Sequence, residues 1–558
     1  MRNLTNAEIL TLTQQGNSAA DWQQVFVCDG FSADAIRNSR FEGRVELEED
    51  VVVVESTICN YHICRGSKVL STTRLECRNR SSFGNGVRVA AVNENGGREV
   101  AIYNELTAQI AYIVAMYRHR KSLVEAITAE IDAFAEGVCS DMGVVGQDST
   151  IIGAKFIREV NVGKGVTIEG ASLVENATLL DGAYVGIDVK ASDFIAAEGS
   201  KVDCGAIVKR VFVGENCVVS NGFTAVDTLL FAASHLENGE SCSVFAGPYT
   251  VSHHKSTLLI AGIFSFFNAG SGTNQSNHLF KSGAIHQAVH RRGCKFASNG
   301  YVMAPAAEGE FTTLLGRHTK HHDTSAFPFS YLIESNGVSY LLPAFALRSY
   351  GTVRDIEKWQ QRDRRVVKRD IVNYEGYNPL LAGKAYRAIE ILQRLLAENP
   401  DAEELSYCGT TIKRRMATLG ISLYENYLTA ALGYMLERGC GSAAKGGFWV
   451  DVAGQYIDKE LLDNLLDNFT TIKSLNVSLL DFAADYDDKA HCWALSLLDE
   501  GADIGATIAA GREAHCHLRQ QTEADRAADV SCKMSVGYGI DSVDEGDIMA
   551  DFNSVHAL

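Results

Sequence analysis

Counting in sixes from Val45 lands on Val51, Thr57, Ile63, Val69, Leu75, Ser81 and Val87, and six of these eight positions are aliphatic. The series then stops. It resumes in a new register at Val162, Ile168, Val174 and Leu180, and in a third at Val213 and Val219. An amphipathic helix repeats near 3.6 residues and a half-buried strand every two, so a period of six points to the coils of a parallel β-helix. In such a coil one aliphatic side chain per hexapeptide enters the prism. Gly, Asn and Asp, all present between the aliphatic positions of "VGKGVTIEGASLVENATLLDGAYVG", accommodate the corners where φ is positive. Stacked coils bury a continuous apolar column. The pattern predicts an amino-terminal segment over 1–40, first coils over 41–103 and the main β-helix over 138–350.

Between the two coil regions the period changes. Leu106, Ile110, Ile113, Tyr117, Val124, Ile127, Ile131 and Phe134 recur at helical spacing, which predicts a helical insertion over 104–137. After Tyr340 the six-residue pattern is gone. Thr352 and Asp355 have the spacing of a capping box ahead of a basic, helix-compatible run. "GKAYRAIEILQRLLAENP", "TTIKRRMATLGISLYENYLTAALGYMLERGCG" and "DKELLDNLLDNFTTIKSL" follow, so a helical carboxy-terminal domain is expected over 351–540, with an acidic tail over 541–558.

The chain has 558 residues, 46% of them apolar, enough for more than one core. Its formal charge of −18 argues against general binding of nucleic acid or anionic membranes, so any anion site must be local. The first residues lack the apolar core of a leader, and no apolar run approaches the roughly 18 residues of a membrane span. A soluble, cytoplasmic protein is expected. The fourteen cysteines are scattered without a CxxC pair and read as reduced thiols.

The hexapeptides "VGKGVT", "IEGASL", "VENATL", "LDGAYV" and "VGENCV" resemble the left-handed β-helix of the hexapeptide-repeat transferases. The resemblance implies a mainly β fold, a left-handed parallel β-helix with a helical insertion and an all-α carboxy-terminal domain. It also implies a homo-oligomer, commonly a trimer. The overall layout resembles a family of large, uncharacterised hexapeptide-repeat proteins.

Eight of the fifteen histidines fall between residues 251 and 322: His253, His254, His278, His286, His290, His318, His321 and His322. The same window carries Lys255, Lys281, Arg291, Arg292, Lys295, Arg317 and Lys320 against only Glu308 and Glu310. Imidazoles act as bases near neutral pH, and Lys or Arg hold phosphate or carboxylate, so this window suits an anionic small molecule. Lys281, Arg291 and Arg292 are the candidate phosphate holders, with His278 beside them.

"VSHHKSTLLIAGIFSFFNAGSGTNQSNHLF" resembles the acetyl-transfer domain of the bifunctional amino-sugar-phosphate N-acetyltransferase and uridylyltransferase. In that family a β-helix histidine precedes a Gly-Ala-Gly-Thr corner and then an acetyl-positioning asparagine. The similarity implies His254 as general base, Gly270, Ser271, Gly272 and Thr273 beside an acyl-CoA donor such as acetyl-CoA, and Asn277 as acetyl or amide anchor. The chain departs from the family in its apolar "TLLIAGIFSFF" and in Thr257, where a tyrosine is expected; no "GGxGTR"-like nucleotidyltransferase loop precedes the coils.

His318, His321 and His322 in "GRHTKHHDTSAFPF" offer metal-ligand atoms at close spacing, and three imidazoles with an open position activate water on zinc. The fold resemblance extends to the γ-class carbonic anhydrases, although their ligand spacing is not evident. His515, Cys516 and His517 read as a surface feature of an acidic helix. The leading expectation is acyl transfer from acyl-CoA to a sugar phosphate or nucleotide sugar. The alternatives are a non-catalytic scaffold that binds such a ligand, and a zinc-dependent hydratase or hydrolase.

Overall fold

A computed structural model describes residues 1–276, 287–442, 447–531 and 544–556. Asn277, His278, Lys281 and His286 lie outside them. The molecule is mostly β, a long parallel β-solenoid with helices packed along it and a helical carboxy-terminal region. One face runs in unbroken parallel pairing from Ile36–Arg37 to Tyr331–Ser335.

The coil explains why the six-residue count kept breaking. Val145 pairs with Val162, Val162 with Leu179, Leu179 with Ala196, and Ala196 with Val213, so a full coil takes seventeen residues. The fully buried positions Ile168, Val174, Leu179, Val185, Ala191, Ala196, Val202, Val208 and Val213 advance by six, five and six in rotation. Every third step loses one residue. The core residue at the first such step is therefore Leu179, and Leu180, which the count in sixes selected, is only partly buried. Glu159, Asn176, Asp193, Arg210 and Asp227 stack at one corner with φ between 46° and 55°, and short polar side chains there bond along the column, as Asn176 does to Asp193 at 2.8 Å.

The coils begin earlier than expected. Val25–Val27 and Ile36–Arg37 already pair in parallel with the coils that follow, beneath helix α1, Asn6–Gln14, which opens on a Thr5/Glu8 capping box. After Leu75 the chain leaves the solenoid, and the stack closes over the excursion through the pairs Val69 with Ile151 and Leu75 with Ile157. Ser81 and Val87 belong to this excursion and not to a coil. It carries an antiparallel hairpin, Arg88–Ala90 with Glu99–Ala101, then α2, Ala108–Met116, and α3, Lys121–Gly137.

Helix α4, Tyr350–Gln361, starts ahead of the capping box read at Thr352 and Asp355. Both side chains are buried inside it, and Asp355 is ion-paired to Lys295 and Lys358. The basic run does not continue the helix past Gln361. It crosses the solenoid as an extended strap, in which Glu215 accepts the N–H groups of Val367, Lys368 and Arg369. Asp370 then accepts from Ala108 N at 2.7 Å and Ala232 N at 2.9 Å, tying insertion, strap and solenoid at one buried carboxylate. Beyond lie α5, Pro379–Glu398, α6, Arg414–Arg438, α7, Lys459–Asp467, α8, Ile472–Ala484, α9, Tyr486–Leu495, α10, Ile504–Ser531, and α11, Glu545–His556. This region is not purely helical, since the hairpins Glu404–Tyr407 with Thr410–Lys413 and Trp449–Val452 with Gln455–Asp458 interrupt it. Among the described residues no helix is long and apolar enough to cross a membrane.

Candidate functional site

Strand alternation sorts the cluster of histidines and cations between 251 and 322 into two environments. Ala288–His290 follows the coil above it, with Phe264 paired to His290 and His290 paired to Glu308. His290 therefore occupies the interior column that earlier coils fill with Leu230 and Ala246. Inside the lumen His290 Nδ1 lies 2.6 Å from Glu308 Oε2, and His322 Nε2 lies 2.7 Å from Glu308 Oε1. His318 Nδ1 meets Ser339 Oγ at 2.8 Å. Burial pushes the Glu308 carboxyl up, but the two imidazoles outweigh it and hold the group well below the usual carboxylate range. Burial likewise opposes the charge on His322, and Glu308 overrides it and raises the imidazole.

This arrangement corrects the zinc reading. His318 and His322 are enclosed with partners of their own, while His321 alternates to the opposite side and is exposed, so the three imidazoles do not converge.

On the outer side of the same coils, a cavity of about 200 Å³ opens between all three parts of the fold. The solenoid contributes Ile263, Ser265, Val289, Arg291 and Glu310; α2 contributes Tyr112; α5 contributes Leu380 and Lys384; the last hairpin contributes Trp449 and Asp451. Lys384 Nζ bonds Glu310 at 2.6 and 2.8 Å and Ser325 O at 3.2 Å. Burial draws this ammonium down from its ordinary value, with Glu310 opposing. Arg292 is completely enclosed. It reaches Asp451 Oδ2 at 2.6 Å, Asn373 O at 2.5 Å and Gly454 O at 2.6 Å, with its guanidinium carbon 4.1 Å from the ring centres of both Phe266 and Tyr456. Its donors are spent inside the protein, so it is a structural cation and not the phosphate holder that its place in the cluster suggested.

Arg291 differs from its neighbours. It is half-buried in the cavity, its Nε has no hydrogen-bond partner, and no carboxylate lies within ion-pair distance of it among the described residues. With Lys384 matched by Glu310 and Arg292 by Asp451, Arg291 is the uncompensated charge of the cavity. Burial pushes the Tyr112 phenol up, so its hydroxyl stays protonated and available as a donor. Tyr112, Lys384, Trp449 and Asp451 had no sequence signal pointing to the site, because they are brought there from elements up to 339 residues away from Tyr112.

His254 lies elsewhere, on an exposed turn. The strand before it pairs Val251 with Asn268 and Ser252 with Ala269, so its turn is stacked on the Gly270–Thr273 turn. The N–H groups of Gly270 and Thr273 are taken up by Phe296 O at 2.8 Å and Gly270 O at 3.2 Å. Lys295 is drawn away to Asp355 and Gly351 O. A second cavity of about 370 Å³ is walled by Tyr374, Tyr377, Tyr427 and Tyr434 between α4, α6 and α10. His515, read as a surface residue, lines it and meets Tyr377 Oη at 3.0 Å. Its Glu357 and Arg438 are paired with Arg519 and Glu375.

The family described as "Domain of unknown function (DUF4954)" matches residues 48–396, more than half of the chain. The chain belongs to the DUF4954 family. The DUF4954 match takes in Tyr112, Arg291, Arg292, Glu310 and Lys384, whereas Trp449 and Asp451 lie beyond it. A relative from Treponema pallidum (strain Nichols), described as "Uncharacterized protein", is 25% identical over 456 residues, covering 70% of this chain. The chain spans 61% of that relative's length.

Proposed function

We propose that this protein is a binding scaffold for a small anionic molecule, held in the composite cavity with Arg291 as its counter-charge. The observation that carries the reading is the half-buried guanidinium with an unpartnered Nε in a cavity where every other cation has a carboxylate. An unpaired charge in a low-dielectric site is costly, and a phosphate or carboxylate that accepts its donors in a forked pair relieves the cost. Tyr112 supplies a further hydroxyl donor. At about 200 Å³ the cavity is smaller than most drug-sized ligand sites, so it suits a phosphate group or a compact phosphorylated or carboxylated molecule, with any nucleotide or CoA portion left outside. Because solenoid, α2, α5 and the last hairpin all form its walls, a bound anion fastens the helical region to the coils. A thermal-stability panel of inorganic phosphate, sugar phosphates, nucleotide sugars, CoA and acetyl-CoA tests the reading. Anionic ligands raise the midpoint by mass action if it holds, and no shift with any of them removes it.

A second reading, acyl transfer with His254 as general base, is favoured by the stacking of its turn on the Gly270–Thr273 turn. It carries with it the trimer and the acyl-CoA donor that the transferase resemblance implies, since an exposed histidine needs a neighbouring subunit to build a cleft. Acetyl-CoA turnover that disappears in His254→Ala, from a protein that sediments as a trimer, supports it. A monomer with no turnover ends it.

A further inference from the structure

The first coils carry a donor set of a different kind. Glu46 and Glu48 on one rung, and His62 and Cys64 on the next, alternate with the buried Val45, Leu47 and Ile63, so all four side chains point outward on one face. Glu46 is paired directly with His62 in the ladder, and Glu48 and Cys64 follow two residues on. His62 Nε2 stands 2.9 Å from Glu48 Oε1. A donor atom each from Glu48, His62 and Cys64 lies within 4.8 Å of the others, and all three residues are half-buried.

Two further contacts orient these donors. The other ring nitrogen of His62, Nδ1, faces Glu46 Oε2 at 3.8 Å, while Arg44 holds Glu46 through its other oxygen at 2.5 Å. A carboxylate on the far side of a ligating imidazole is the usual support that fixes the ring and its tautomer. The second oxygen of Glu48 accepts the Arg65 backbone N–H at 2.8 Å, which turns Oε1 toward His62 and Cys64. His62 and Glu48 are thus each met from behind by a second group, and Cys64 lies beside them on the same face.

We propose that Glu48, His62 and Cys64 bind a zinc-class divalent cation, with Glu46 as the positioning carboxylate. One thiol, one imidazole and one carboxylate are a donor set suited to Zn²⁺ and unsuited to Mg²⁺ or Ca²⁺, which require oxygen ligands. On binding, the Cys64 thiol gives its proton to solvent and the thiolate takes the metal. Three protein ligands leave the fourth tetrahedral position to water, the composition of a site that is open to a further ligand.

Co²⁺ is the probe for the test, because it reports a thiolate ligand by a charge-transfer band and tetrahedral geometry by its visible spectrum. Tag-free full-length protein is titrated with Co²⁺ and back-titrated with Zn²⁺. The site predicts one equivalent of Co²⁺ with both signatures, displaced by one equivalent of Zn²⁺. The charge-transfer band is lost in Cys64→Ser, and affinity falls about tenfold or more in His62→Gln and in Glu46→Gln. Cys204→Ser, which removes an exposed thiol elsewhere, leaves the titration unchanged. If Cys64→Ser does not fold, Glu48→Gln makes the same comparison through loss of the equivalent. A titration without a stoichiometric equivalent, or a charge-transfer band that survives Cys64→Ser, overturns the assignment.

Discussion

His290 Nδ1 lies 2.6 Å from Glu308 Oε2, and both side chains are fully enclosed in a lumen that the preceding coils fill with aliphatic groups. Glu308 also meets His322, so one carboxylate bridges two imidazoles in the buried lumen. Removing it alone strands them. Glu308→Leu is expected to cost about 3–5 kcal/mol, read as a lowered midpoint of chemical unfolding. The triple replacement His290→Phe, Glu308→Leu and His322→Leu recovers much of that loss, because it leaves no buried charge unpaired. Equal damage from the single and triple variants would contradict this account of the lumen.

His318 gives the lumen a pH dependence. Burial, with the neighbouring His322 charge adding to it, brings its imidazole down to about 4. A histidine lowered in the folded state takes up its proton more readily when unfolded, so its contribution is complete above the ordinary value of about 6.5 and is lost as pH falls toward 4. Stability should decline over that window by an amount on the order of 1–3 kcal/mol, read as a lowered midpoint of chemical unfolding. His318→Gln should flatten the decline, and an unchanged slope in that variant would remove His318 as its source.

Arg292 joins the coils to the last hairpin through Asp451, Asn373 O and Gly454 O. Arg292→Met leaves a part-buried carboxylate and two carbonyls without partners, at a cost of about 3 kcal/mol. Arg292→Lys restores only part of this, since an ammonium cannot reproduce the fork. Hydrogen exchange should show protection lost first at residues 449–458, with the coils between residues 150 and 230 keeping theirs. Uniform loss along the chain would mean that the contact does not act as a local fastening.

The solenoid was legible because its interior repeats: the aliphatic count in sixes holds for two of the three sides of each coil. It was not fully legible because the third side is one residue shorter, which moves the core from Leu180 to Leu179 and makes one continuous stack look like separate blocks. The cationic window was also legible as composition, and it supplied Arg291. Composition could not tell Arg291 from Arg292, because the partner that occupies Arg292 is Asp451, 159 residues further on. The histidines misled for a related reason: strand alternation turned His290, His318 and His322 into the lumen, and nothing local marks which way an alternating residue points. The helix expected from Thr352 onward failed past Gln361, where Glu215 claims the backbone N–H groups of Val367, Lys368 and Arg369 for contacts outside a helix.

Arg291 supplies the most direct test. Without ligand, Arg291→Met should leave the unfolding midpoint unchanged or higher, because it removes an unpaired half-buried charge and fills similar space. Calorimetric titration with inorganic phosphate and a sugar phosphate should then find a salt-sensitive site in the native protein. Affinity should fall about tenfold or more in Arg291→Met and be partly kept in Arg291→Lys. Equal anion binding by the native protein and Arg291→Met, with both folded, would contradict it.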